Sequence, residues 1–236
     1  MNILEPYMIF ITNIYCVSIV VLTLSVLLVD FPDISANATF ILIRTGRARW
    51  YRCQAGFVIL AATSLLILLM VFGIVAISPV AFYANVWSNS AKLITGIEHS
   101  TFRSQNPLSY PDMSVMSNFS VFIAVTVSSL LMILYMSFSA LLQMALTLRY
   151  HKIVGLAVNL ILLGAGMALH LADTSLKWIL PFAHSTVGWH YDELFNETKF
   201  PIWGSVAYLL IANIAVYLLG IRVIKKKNLA LISKED

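Results

Sequence analysis

The sequence predicts an all-α polytopic membrane protein, and three observations carry this prediction. First, 60% of the 236 residues are hydrophobic and 11% are charged, with a mean hydropathy of +0.86. That balance lies outside the range of soluble globular domains. Second, the apolar residues form runs of about 20 or more, the length that an α-helix needs to cross a bilayer. Third, these runs are continuous rather than alternating, which argues against a membrane β-barrel.

Five apolar runs, bounded by charged residues or by Pro and Gly, are candidate transmembrane helices. They cover residues 7–29, 54–77, 118–142, 153–172 and 202–222. The second run continues through "SPVAFYANVW", so this helix either tilts strongly or ends in an aromatic interfacial segment. The chain is thus predicted to be one transmembrane domain, with connections at 30–53, 78–117 and 173–201. A sixth span within 78–117 is the alternative, but the polar stretch from 88 to 114 favours five.

The distribution of lysine and arginine predicts the orientation of these spans. With five spans, eleven of these cations fall on one side of the membrane and four on the other. Because cytoplasmic loops carry an excess of Lys and Arg, we expect the N-terminus outside, the C-terminus in the cytoplasm and the protein in the cell membrane. The basic tail after the last span is expected to contact anionic lipid.

A dense cluster of arginines lies between the first two spans, in the stretch "ILIRTGRARWYRCQ" (41–54). The residues before it predict a short amphipathic helix along the membrane face, with Gly46 as its stop. Arg49 and Arg52 lie three apart, on one face of a helix, and Trp50 and Tyr51 between them are typical of a lipid boundary. From composition alone, the cluster either anchors and orients the chain or contacts a partner.

This arrangement resembles the cytoplasmic coupling segment in permeases of type-2 ABC transporters. In those permeases an arginine, a small residue, further basic residues and an aromatic pair lead into the next span. The matching features here are Arg44, Gly46, Arg47 with Arg49, and Trp50 with Tyr51. The likeness covers nearly the whole chain through the order of spans and loops. One feature departs from it, because the family usually has six spans after an interfacial helix, and this chain begins at the equivalent of the second span.

The resemblance implies a permease subunit that pairs with a second permease copy or paralogue and with a cytoplasmic ATP-binding subunit. It implies that the ATPase docks on a coupling segment comprising Arg44, Thr45, Gly46, Arg47 and Arg49. Arg149 and Lys152 would make a secondary inner contact. The chain has neither GxxxxGK[ST] nor GxGxxG, so we expect no enzymatic activity and no cofactor in this chain. Because the predicted spans carry no internal Asp, Glu, Lys or Arg, we expect an amphipathic or lipophilic exported substrate.

Polar residues within the spans, and one cluster outside them, complete the set of candidate site residues. Those in or near the spans line a substrate path or join helices: Asn13, Gln143, Asn159, His170 and Asn213. The cluster outside the spans has metal-ligand types: His184, His190, Asp192 and Glu193. It makes a membrane metalloenzyme one alternative, although no HExxH is present and no metal site is predicted. The other alternative is a non-transporting scaffold or accessory subunit. No basic stripe interleaved with aromatic residues indicates nucleic-acid binding.

Overall fold

The computed structural model describes residues 1–32, 41–42, 44–98, 111–192 and 197–226. Within these ranges the chain is helical apart from turns, extended connections and two isolated bridges, which confirms the all-α class. The α-helices are α1 (Glu5–Thr12), α2 (Ile14–Leu27), α3 (Arg47–Ile77), α4 (Asn89–Glu98), α5 (Met113–Asn118), α6 (Val121–Arg149), α7 (Lys152–Leu171) and α8 (Ile202–Lys226). The connection from α7 to α8 contains three short 3-10 helices, at Ser175–Ile179, Pro181–His184 and Gly188–His190.

Four helices, α3, α6, α7 and α8, are long and apolar enough to cross a membrane. At about 1.5 Å per residue they are roughly 30 to 46 Å long, against a hydrocarbon core of about 30 Å. Four of the five predicted spans lie largely on these helices. They fit an integral membrane protein.

The first predicted span has a different structure. Helices α1 and α2 meet at Asn13 with a bend of 82°, so the prediction of one continuous helix over 7–29 is wrong. Asn13 has an extended backbone, and its side-chain oxygen accepts hydrogen bonds from the backbone nitrogens of Tyr15 and Cys16 at 3.0 and 3.2 Å. This is an N-cap, which starts a new helix. The described residues therefore give four membrane-crossing helices, or five if the bent pair crosses as one.

Helix α6 lies at the centre of the bundle and packs against α2, α3, α7 and α8. Much of its length is buried, whereas the outer helices present large apolar side chains on the surface. Examples on α3, α7 and α8 are Leu60, Phe72, Ile161 and Ile211. Such a contiguous apolar exterior is far larger than a water-soluble monomer exposes, and lipid is the solvent that suits it.

The two long connections around the arginine cluster and after α3 are only partly described. Residues 33–40, on which most of the predicted amphipathic helix falls, lie outside the described residues, as do 99–110. In the connection 78–117, α4 has ten residues and α5 has six. Each is too short to cross a bilayer.

The bundle has two ends of different composition. The basic end comprises the arginine cluster at the start of α3, the turn between α6 and α7, and the end of α8. The aromatic end comprises the connection between α7 and α8, the first residues of the chain and the residues that follow α3. The side of the membrane that each end faces stays a prediction.

Candidate functional site

The arginine cluster at the basic end is seated on a buried apolar base. Leu42 is 1% exposed, Trp50 is 5% exposed and Tyr51 is fully buried. Gly46 has a φ of +81°, a conformation that L-residues rarely adopt, and it turns the chain from the preceding helical residues into α3. The cluster is therefore a fixed part of the bundle rather than a solvated loop.

The cationic side chains of this cluster divide into engaged and exposed groups. The Arg47 guanidinium donates a 2.7 Å hydrogen bond to the Lys225 carbonyl at the end of α8. Arg44 and Arg49 are exposed. The Thr45 hydroxyl donates to the Ile41 carbonyl at 2.7 Å, within its own turn. Of the predicted coupling residues, Arg44 and Arg49 thus lie on the surface, while Arg47 joins α3 to α8.

The position of these arginines opposes the dipole of the helix that carries them. Arg47, Arg49 and Arg52 all lie in the first two turns of α3, and its first turn contains no acidic residue. A cation at a helix N-terminus is unfavourable, by about 0.3–1 kcal/mol for an exposed group. Helix stability alone therefore does not account for their placement.

The predicted secondary contact lies at the turn between α6 and α7. The Arg149 guanidinium lies 5.2 Å from the ring centroid of Tyr150. Lys152 Nζ forms a 2.7 Å ion pair with Asp30 Oδ1, in which both side chains are exposed. Because an exposed pair contributes at most about 1 kcal/mol, its main effect is to hold the end of α2 near the start of α7.

Helix α3 lies close to α8 where Tyr51 meets Gly220. A Cβ atom built on Gly220 would lie 1.9 Å from Tyr51 Oη and 2.3 Å from its Cζ. The Tyr51 ring also packs against Tyr217, with centroids 5.7 Å apart. The absence of a side chain at Gly220 lets the two helices approach at this point.

Three of the polar residues predicted within spans bond helices to one another. Gln143 Nε2 donates to the Ser25 carbonyl at 2.8 Å, and Asn159 Nδ2 donates to Ser25 Oγ at 2.7 Å and to Gln143 Oε1 at 3.2 Å. Ser139 Oγ donates to Asn159 Oδ1 at 2.8 Å. Asn213 Nδ2 donates to the Leu134 carbonyl at 2.9 Å, joining α8 to α6. These are helix contacts of the kind found in membrane bundles.

The remaining two polar candidates lie apart from this network. Asn13 caps α2 through its bonds to the backbone nitrogens of Tyr15 and Cys16. His170, near the end of α7, lies against Trp189 with ring centroids 4.0 Å apart. The structure thus brings Gln143 and Asn159 into contact, and a substrate path lined by the five residues stays a prediction.

Two histidines at the aromatic end converge on one serine. Ser205 Oγ lies 2.7 Å from His184 Nδ1 and 2.6 Å from His190 Nε2. The other ring nitrogens face backbone carbonyls: His184 Nε2 lies 2.9 Å from the Trp178 oxygen, and His190 Nδ1 lies 2.7 Å from the Thr186 oxygen. We call this arrangement the histidine cage. Its three side chains are fully buried.

Aromatic rings enclose the histidine cage. The Trp178 ring lies 5.4 Å from the His184 ring and 5.3 Å from the His190 ring, centroid to centroid. Tyr208 stacks on His184 at 4.4 Å. Burial lowers the pKa of His184 and lowers the pKa of His190 to about 4, and the hydrogen bonds to the two carbonyls partly oppose this effect. At neutral pH both rings are therefore neutral.

The metal-binding alternative gains no support from this geometry. Both nitrogens of His184 and of His190 already have hydrogen-bond partners, and Asp192 lies 3.3 Å from Lys199 Nζ. Glu193 lies outside the described residues. Among the residues that are described, no group of three or more His, Cys, Asp or Glu side chains could hold a metal ion.

A buried carboxylate near the start of the chain is a feature that sequence reasoning missed. Glu5 is fully buried, and its two oxygens accept from the backbone nitrogens of Asn2 and Ser88 and from the Ser88 hydroxyl at 2.7–2.9 Å. The only sequence signal was an acidic residue directly before a long apolar run. This carboxylate ties the N-terminal residues to the connection after α3.

Comparison with known proteins gives no relative: no protein-family model matches the chain, and no curated protein or solved structure is significantly similar to it.

Proposed function

We propose that the chain is the membrane-spanning permease subunit of an ATP-driven exporter of an amphipathic or lipophilic substrate. In this proposal the basic end faces the cytoplasm, and a separate ATPase subunit docks on the exposed guanidinium groups of Arg44 and Arg49. A second permease copy or paralogue completes the transporter. The observation that carries the proposal is the rigid cationic surface at the start of α3, which helix stability does not explain.

The contacts of α3 with α8 suggest how movement of a bound partner would reach the membrane-crossing helices. An acidic groove on the partner would bind the forked guanidinium groups through charge-assisted hydrogen bonds. Movement of the partner would shift the start of α3, and the contact of Tyr51 with Gly220 would pass that shift to α8. A rigid-body movement of packed helices is an established way to carry such a signal.

The second candidate function is a scaffold or accessory subunit that is anchored by its cations to anionic lipid. The observation favouring it is that exposed basic residues occur on three segments of the basic end: Arg44 and Arg49, Arg149 and Lys152, and Arg222, Lys225 and Lys226. Lipid attraction depends on the number of cations near the surface, at about 1 kcal/mol each, rather than on their pattern.

Two charge-reversed double variants separate these functions. The test variant is Arg44→Glu with Arg49→Glu, and the matched control is Arg222→Glu with Lys226→Glu, which changes the net charge by the same amount at the same end. The measurement is purification of each tagged chain from native membranes in mild detergent, followed by identification of co-purified chains and assay of ATP hydrolysis. We expect the unmodified chain and the control to retain a subunit with a GxxxxGK[ST] loop, and the test variant to lose it. Equal retention by both variants, or no such subunit with the unmodified chain, would overturn the proposal.

A further inference from the structure

The histidine cage holds four contacts in which a ring nitrogen faces an oxygen. Two of these oxygens are the carbonyls of Trp178 and Thr186, which can only accept hydrogen bonds. Each therefore requires an N–H group, and this requirement fixes the tautomers. His184 carries its proton on Nε2 and His190 carries its proton on Nδ1.

This assignment leaves two nitrogen lone pairs facing Ser205 Oγ, at 2.7 and 2.6 Å. The serine hydroxyl has one proton and can donate it to one of them. Four contacts need four hydrogens, and the two neutral rings with the hydroxyl supply three. In the neutral cage, one ring nitrogen therefore faces Ser205 Oγ with no hydrogen between them. One added proton would give all four contacts a hydrogen.

We propose that His184, Ser205 and His190 form a binding site for a single proton, which the hydroxyl of Ser205 shares between the two rings. When the proton enters on one ring, that ring donates to Ser205 Oγ, and the serine hydroxyl donates to the other ring. A second proton is opposed, because the two neighbouring rings would then both be cations and the serine hydroxyl would lose both ring nitrogens as acceptors. This inference is independent of the proposed transport function.

Aromatic rings surround the cage, and burial disfavours the charged form of both histidines. The ring centroid of Trp178 lies within 5.4 Å of the centroids of both histidine rings, and that of Phe200 lies 5.2 Å from that of His184, so aromatic rings border the cage on more than one side. Attraction of a cation to an aromatic face is effective within about 6 Å. Because the pKa of His190 is lowered to about 4, the site binds its proton only at acid pH, below the pH at which most histidines become charged.

The ionisable groups on the neighbouring segments are largely paired with one another. From the turn after α7, Lys177 bonds to Asp173, and its Nζ lies 5.7 Å from the Trp178 ring centroid. From the segment before α8, Lys199 lies 3.3 Å from Asp192 and 3.9 Å from Asp173. The other groups are Tyr208 of α8, stacked on His184, and His170 of α7, beyond Phe182 and Trp189. Among the described residues, no carboxylate is a hydrogen-bond partner of either cage histidine.

Nitrogen-15 NMR of the full chain with labelled histidine, in lipid nanodiscs between pH 7.5 and 3.5, tests the site. Signals are assigned with His184→Gln and His190→Gln. We expect the two tautomers given above at neutral pH, and on acidification one proton shared by both rings. A different pair of tautomers, two protons taken up independently, or no uptake before the protein unfolds would each overturn the proposal.

A pair of serine variants tests the sharing itself. In Ser205→Ala the two rings lose their bridge, and we expect protonation of one ring to leave the signal of the other unchanged. The control is Ser128→Ala, another buried serine, on α6, in which the rings should still respond together. Joint titration that persists in Ser205→Ala would also overturn the proposal. If Ser205→Ala does not fold, the tautomer and proton count of the unmodified chain still decides.

Discussion

The two ends of the bundle handle polar groups in opposite ways. At the basic end, Arg44 and Arg49 are exposed, and the pairing of Lys152 with Asp30 lies on the surface. At the aromatic end, Glu5, His184 and His190 are fully buried, and each is hydrogen-bonded to neighbouring groups. Buried polar networks are rigid and costly to disturb, whereas exposed charges remain available to a partner. The basic end therefore has charged groups that a partner can reach, whereas the polar groups of the aromatic end lie in the interior.

The largest expected effect is at the contact of α3 with α8. In Gly220→Ala the new Cβ atom would lie 1.9 Å from Tyr51 Oη, so the fully buried Tyr51 ring or one of the two helices must shift. We expect a loss of about 3 kcal/mol in the free energy of unfolding, as in overpacked cores. The measurement is an unfolding titration in mixed detergent micelles.

The matched control for this change is Gly164→Ala on α7, where a Cβ atom would meet nothing within 4 Å. It should be neutral or slightly stabilising, because alanine has the higher helix propensity by about 1 kcal/mol. Equal stability of the two variants would show that α3 and α8 are not in close contact at Gly220.

A slightly smaller effect is expected at the aromatic end from Glu5→Gln. The glutamine amide directs a donor at a place where Glu5 now accepts, so at least one buried N–H or hydroxyl of Asn2 or Ser88 loses its acceptor. We expect a loss of about 2–3 kcal/mol. The control, Glu197→Gln, changes an exposed carboxylate and should alter stability by less than about 0.5 kcal/mol. Similar unfolding curves for the two variants would contradict the burial of Glu5.

The smallest of the three effects is a pH dependence that originates at the aromatic end. The pKa of His190 is about 4 in the folded chain and about 6.5 when unfolded, so the unfolded state binds more protons between these values. Stability from this group is therefore complete above pH 6.5 and falls as the pH drops towards 4. From pH 7 to pH 5 we expect a loss of about 2 kcal/mol. His190→Gln should flatten this part of the profile, and an unchanged slope would contradict the low pKa.

Hydropathy identified the long helices because a membrane-crossing helix is defined by one continuous run of apolar residues. The break at Asn13 escaped the same reasoning, because it depends on one side chain that bonds to the backbone of Tyr15 and Cys16 within an apolar run. Local composition does not report such a cap.

The histidine cage was missed for a different reason. The sequence placed His184 and His190 with Asp192 and Glu193, their neighbours along the chain. In the structure they meet Ser205, 21 and 15 residues away. These contacts form because α8 packs against the 3-10 helices of the preceding connection. Neighbouring residues in the sequence give no sign of such packing. Arg47, by contrast, lies in a basic cluster that is visible in the sequence, but its bond to the Lys225 carbonyl depends on the packing of α3 on α8.

Helix α8 extends from the aromatic end to the basic end of the bundle. Ser205 lies 15 residues from Gly220, or about 22 Å along the helix axis at 1.5 Å per residue. A tilt of roughly 5° about Gly220 would then move Ser205 by about 2 Å, enough to break a hydrogen bond of normal length. If the cage binds a proton as proposed, a change in the angle of α8 at the basic end would alter proton binding at the aromatic end.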